Sequence, residues 1–190
     1  MRYAISVVMC ALALCGCGGG APRETASAGN ATPGVKAKSV ETTGLVTADV
    51  KNRCAGFGAA QAAEILGTPA GSVTATSQDI TPMARGCEFI GGGKKISFSL
   101  ALEASIDDAK RAIENSRETY VISARAQETA TGKEIKEGAY SDILSVGDEA
   151  IWSVTNGAMT VRHKNLIIMV ISPDDKRTQA AIATKILGLL

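Results

Sequence analysis

Thiols, one imidazole and three adjacent carboxylate pairs are the side chains in this sequence that could do chemistry. The 190-residue chain carries five cysteines, at positions 10, 15, 17, 54 and 87, and a single histidine, His163. No His/Cys cluster has zinc-ligand spacing, and neither Gly-x-Ser-x-Gly nor His-Glu-x-x-His occurs. A Cys–His nucleophile would need Cys54 or Cys87 as a free thiol. His163 falls near a predicted strand end, on the face of Trp152 and Val161, where a structural role fits it better than that of a base. The acidic pairs are Asp107-Asp108, Asp148-Glu149 and Asp174-Asp175. The first and third precede predicted helices, where they compensate the positive end of the helix dipole. Asp148 and Glu149 instead lie in the turn Val146-Gly147-Asp148-Glu149-Ala150. They are the only candidates for general acid–base work on a substrate bond, and too few oxygens surround them for calcium. No metal and no cofactor is expected.

Two glycine-rich stretches invite comparison with phosphate loops. Gly91-Gly92-Gly93-Lys94-Lys95 lacks the Ser/Thr after Lys and joins two strands, so it reads as a hairpin turn. Gly56-Phe57-Gly58 precedes a helix, but Gln61 stands where a third glycine belongs.

The three remaining thiols cluster at the start. Met1-Arg2 is a short basic lead, followed by an apolar run from Tyr3 to Leu14 interrupted by Ser6. That run is too short for a bilayer, which needs ~20 residues, but fits a signal-peptide core. Leu14-Cys15-Gly16-Cys17 resembles the lipobox of bacterial lipoproteins, with a small residue before the cut and a thiol after it to take a diacylglyceryl group. The expectation is a signal over 1–16 and lipidated Cys17 as the first mature residue. Ordinary cleavage after Ala11-Leu12-Ala13 is the alternative. With Gly18 rather than Asp after Cys17, sorting would favour the periplasmic side of an outer membrane, or the outer face of the cell membrane where there is only one. Two acyl chains make a stable anchor, at about 0.8 kcal/mol per buried methylene.

Export leaves Cys54 and Cys87, and two cysteines in an oxidising compartment are most simply a disulfide. Closing such a loop is worth roughly 3–4 kcal/mol in the chain-entropy picture. The charge balance is 20 basic against 19 acidic side chains, and Arg2 is the only charge within 1–16. No electrostatic footprint for nucleic acid remains. Aromatics are only 4%, so the core must be aliphatic.

These groups need a scaffold. Residues 17–44 are dominated by Gly, Ala, Ser, Thr and Pro and read as a flexible linker, with a mean reach of about 30 Å. The globular domain is 45–190. Ala59–Leu66 reads as a helix ended by Gly67, and Val73–Ile80 as an alternating strand. Cys87–Ile90 and Lys94–Leu102 read as a hairpin. Ser105 opens a helix with the inner stripe Ala109, Ala112, Ile113, Ser116 and Tyr120. Between Val121 and Asp142 a strand and a long loop both fit. Ile151–Thr155 and Ala158–His163 flank Asn156-Gly157, a hairpin signal that places Val154 opposite Met159 and Trp152 opposite Val161. Lys164-Asn165 turns into Leu166–Ile171, which reads as a strand covered on both faces, with Ile168 opposite Val161. The last helix is expected to start with Pro173 at its first position and to bury Ile182, Ile186 and Leu189. The class is α+β, an antiparallel sheet with helices packed on it.

From Cys54 to Leu190 the order of landmarks resembles a family of small bacterial lipoproteins, best populated in actinobacteria, with a PsbP-like α/β sandwich. The landmarks are Cys54, Ile65-Leu66-Gly67, Cys87-Glu88-Phe89, the Val146–Ala150 turn, the Val161–Val170 hairpin, and Ala180-x-Ile182-Ala183-x-x-Ile186-Leu187. Phe89 stands where many relatives carry Trp. The resemblance implies that fold and a Cys54–Cys87 bridge, and it carries over no catalytic residue. The expected function is a membrane-anchored, non-catalytic protein-interaction or ligand-binding domain whose partner is an envelope protein. The alternatives are a cell-envelope hydrolase using Asp148 and Glu149, and an apolar-ligand carrier hollowed around Met159, Ile168 and Val170.

Overall fold

The computed structural model describes residues 44–47, 54, 56–172 and 175–190. The expected signal, lipidated Cys17 and nearly all of the linker lie outside the described residues. Seven strands, β1 (Thr74–Thr81), β2 (Ala84–Gly91), β3 (Lys94–Leu102), β4 (Tyr140–Asp142), β5 (Glu149–Ser153), β6 (Ala158–His163) and β7 (Leu166–Ile171), form one sheet. Its order is β1-β2-β3-β7-β6-β5-β4, and every neighbouring pair is antiparallel. Three helices pack on it, α1 (Ala59–Leu66), α2 (Ile106–Thr131) and α3 (Lys176–Leu187). The α+β class holds.

The main core lies under α1 and α3. Ile96, Phe98 and Leu100 of β3, Met159 and Val161 of β6, and Leu166, Ile168 and Val170 of β7 join Leu66, Ile182 and Ile186. Strand alternation turns the neighbouring residues to the opposite face, where α2 sets Ile113 and Tyr120 against Ile151. The inner stripe of α2 is realised at Ala109, Ile113 and Tyr120 and gains Ala124, while Ala112 and Ser116 are half-buried.

Several elements depart from the sequence reading. The stretch after Val121, readable as strand or loop, continues α2 to Thr131 before the short β4. Ala, Arg, Gln and Glu favour helix without a packed stripe, and only Gly132, left-handed at φ 64°, ends it. The β5–β6 connection takes four residues, so Trp152 faces Met159 and Ala150 faces Val161, two positions from the expected register. A shift of two keeps every side chain on its expected face. One side-chain and one backbone bond close the longer loop: Asn156 Oδ1 accepts from the Ala158 N–H at 3.0 Å, and the Gly157 N–H donates to Ser153 O at 3.1 Å. The expected pair Val161–Ile168 is present.

Helix α3 starts at Lys176 with Asp175 as cap, accepting from the N–H groups of Arg177 and Thr178. Pro173, its expected first residue, lies outside the described residues. Leu189 falls past the helix end and is exposed, whereas Gln179 takes a fully buried place. The expected strand over 73–80 is β1, yet it is exposed along its whole length, an edge strand against which no helix packs closely among the described residues. Strand β7 is covered on both faces only through Ile168; Met169 and Ile171 are exposed.

Candidate functional site

The Cys54–Cys87 disulfide is present, with Cα atoms 5.8 Å apart. Cys87 is buried on the core face of β2, and the bridge ties the segment before α1 to that strand. Three residues after Cys54, Phe57 inserts edge-on against Phe98 and Phe89, with ring centroids 5.2 and 5.4 Å away. The bridge and this aromatic trio act on the same short segment. Both sulfurs are spent in that bond, so neither is a nucleophile in this state.

Asp148 and Glu149 are brought together with cations. Glu149 lies directly opposite Arg162 in the β5–β6 ladder. One carboxylate oxygen of Glu149 meets Arg162 Nε at 3.3 Å and the other meets Arg117 Nη2 at 2.7 Å. Asp148 accepts from Arg162 Nη1 at 3.2 Å and from the Lys164 N–H at 2.6 Å. Its second oxygen is 3.5 Å from His163 Nδ1. Burial pulls the pKa of Arg117 down, but hydrogen bonds to Glu149 and Asp142 outweigh it and hold it above its ordinary value. Each carboxylate oxygen therefore faces a nitrogen of the protein itself. The arrangement locks α2 and the β6–β7 turn to the sheet.

From the other two pairs, Asp108 and Asp175 serve helix starts. Ser105 accepts from the Asp108 N–H at 3.0 Å and donates to the Asp108 carboxylate at 2.6 Å, lowering the pKa of Asp108. Backbone N–H groups, that of Thr178 foremost, lower Asp175 in the same way. Met159, Ile168 and Val170 are fully buried in one cluster with Ile182, Ala183 and Ile186. Among the described residues, no group of three His, Cys, Asp or Glu side chains could hold a metal ion, and no helix is long and apolar enough to cross a membrane.

A different surface presents a site. Helix α2 packs on the sheet at β4, β5, β6 and β7, while one face of β1, β2, β3 and the end of β7 lines an open groove. The cross-strand pairs there run Gln78–Gly86–Ser99–Met169 and Thr76–Glu88–Ser97–Ile171. They line an open groove of about 380 Å³. Small hydroxyl and glycine positions form its floor, with Met169 and Ile171 along one side and Ile80 at the other. The continuous apolar run of β7 concealed this in the sequence, since nothing in it said where α2 would stop covering. The alternating Ser97 and Ser99 in β3 were the available signal: small polar residues every second position mark an uncovered face.

Compared with protein-family models, with curated proteins and with solved structures, the chain matches none.

Proposed function

We propose that the chain is an extracytoplasmic lipoprotein, held to a membrane by a diacylglyceryl group on Cys17, whose domain binds an envelope protein without catalysis. The open half of the sheet carries this reading. A flat floor of Ser97, Ser99 and Gly86, bordered by Ile80, Met169 and Ile171, suits an extended peptide that offers both backbone polar groups and apolar side chains. The lipobox-like Leu14-Cys15-Gly16-Cys17 and the Cys54–Cys87 bridge support an oxidising compartment outside the cytoplasm. The PsbP-like form of the α+β sandwich belongs to the same reading and rests on the order of sequence landmarks. Asp148 and Glu149, the carboxylates on which a hydrolase reading would rest, are both engaged by Arg162, which favours the binding reading over it.

Two measurements test it. Intact mass of the membrane-extracted protein should show residues 1–16 removed and a thioether-linked lipid on Cys17; an unmodified thiol there defeats the anchor. Proteins cross-linked to the wild-type chain in the envelope should be lost with Ser99→Arg, which fills the groove floor. An unchanged set of partners moves the binding surface elsewhere.

A further inference from the structure

The two edges of the sheet are built differently. The β4 edge is three residues long. The β1 edge is eight residues long and exposed throughout. Natural edges are blunted by shortness, lysines, prolines, bulges or inward charges, because unpaired backbone groups recruit another strand. Within β1, Thr74-Ala75-Thr76-Ser77-Gln78-Asp79-Ile80-Thr81 contains no lysine and no proline. Its one charge, Asp79, is paired with Arg85 at 3.5 Å, and its irregularity falls only at the far end, between Asp79 and Thr81. Ile80 and Met83 of the adjoining turn are 55% and 50% exposed.

We propose that β1 is a homodimer interface, in which two copies pair antiparallel through this strand and join their sheets into one. The sequence of the strand is self-complementary. A two-fold axis perpendicular to the sheet keeps facing side chains on one face, so the partners are residues of equal parity. Centred on Ser77, the pairing sets Thr76 against Gln78, Ala75 against Asp79 and Thr74 against Ile80. No like charges meet in this register. At its centre Ser77 faces its own copy and Thr76 faces Gln78, hydroxyl and amide side chains that can hydrogen-bond across antiparallel strands. The pairing also covers Ile80 and sets the two open grooves side by side. One strand pair buries less than the ~1,200 Å² typical of a stable interface, so association is weak and depends on concentration. The inference does not depend on the lipid anchor.

Sedimentation equilibrium of the full-length protein over a dilution series tests it. Wild type should pass from monomer to dimer as concentration rises. Thr76→Lys with Gln78→Lys puts like charges across the pairing in this register and in those shifted by two, and should weaken association about tenfold. Both positions are exposed, so the melting temperature should hold. Mixing this variant with one carrying Thr76→Glu and Gln78→Glu should restore a mixed dimer. A wild type that stays monomeric at every concentration overturns the proposal. So does a dimer indifferent to the lysines. A monomer whose β1 amide protons resist exchange would place another segment of the same chain on this edge, which overturns it equally.

Discussion

Asn165 grips the backbone of Val46, 119 residues earlier, from both sides of its amide. Its Oδ1 accepts from the Val46 N–H at 2.8 Å, and its Nδ2 donates to Val46 O at 3.3 Å and to Glu103 O at 3.0 Å. The side chain sits in the β6–β7 turn and is almost fully buried. A two-residue turn thereby holds Val46 beside the end of β3.

Replacing Asn165 by Ala should expose the value of the clamp. It removes one acceptor and two donated bonds, leaving the Val46 N–H and Glu103 O without this partner in a half-buried place. Unsatisfied buried groups cost about 1–3 kcal/mol, and a loss of about 2 kcal/mol in urea unfolding is expected. Proteolysis near residue 46 should quicken by more than the global loss of stability accounts for, because the entry strap is freed first. Equal rates for both proteins would show that the strap is held elsewhere.

Gly147 tests a closer approach. Its φ is +62°, and a Cβ built there would lie 2.5 Å from Arg162 O and 2.7 Å from Val161 Cγ1. Gly157 has nearly the same φ, +64°, with nothing within 4 Å. Gly157→Ala should therefore cost only the left-handed backbone penalty, about 1–2 kcal/mol. Gly147→Ala should add the collision and cost about 3 kcal/mol or more. Denaturant midpoints that move equally would mean the Val146–Ala150 turn yields without effort.

Acid stability should depend on Ser105. Asp108 is lowered from 3.8 mainly by the Ser105 hydroxyl, opposed by burial and assisted by Arg111. A carboxyl whose folded pKa lies below its unfolded one stabilises the fold above the unfolded value. That contribution fades as pH falls from about 4 through the folded pKa. Ser105→Ala removes the main cause, so the stability gap between variant and wild type should shrink as pH drops below about 4. What persists at lower pH is the lost N-cap itself. A gap independent of pH would detach Asp108 from the cap.

How much was legible in sequence follows from where each signal came from. Local rules marked α1, the Gly91–Gly93 hairpin and the Ser105 cap, because each is written within a few residues. The faces of β5 and β6 were also legible, since alternation survives a register shift of two. What sequence lacked was tertiary. The length of α2 depended on where a glycine occurred, since its last turns bury nothing. The half-open face of β7 depended on how far α2 reaches across the sheet. Gln179, fully buried, donates to Gly157 O, and Tyr120 shares a 2.7 Å hydrogen bond with Thr160. Neither pair has a sequence signature, because the partners are joined only by folding. The same holds for Asp148 and Glu149. Their spacing read as paired carboxylates, and the arginines that occupy them come from α2 and β6.

That occupation makes a last expectation, and it separates a structural pair from a reactive one. Glu149 bridges Arg162, whose side chain is 11% exposed, and Arg117, which is 18% exposed. Glu149→Gln would leave two largely buried guanidiniums with one fewer anion between them. Breaking a fully buried pair costs about 3–5 kcal/mol. Glu149 keeps 27% of its side chain in water, so about 2 kcal/mol is the expected loss. Asp142→Asn removes a carboxylate that also meets Arg117 but is 65% exposed, and should cost under about 1 kcal/mol. A carboxylate kept for chemistry behaves in the opposite way, since replacing it commonly leaves stability unchanged or raises it. Unfolding curves for the two variants therefore decide the matter without a substrate. Should Glu149→Gln be as stable as wild type, the ion pairs would be dispensable, and the carboxylates would again be open to a catalytic role.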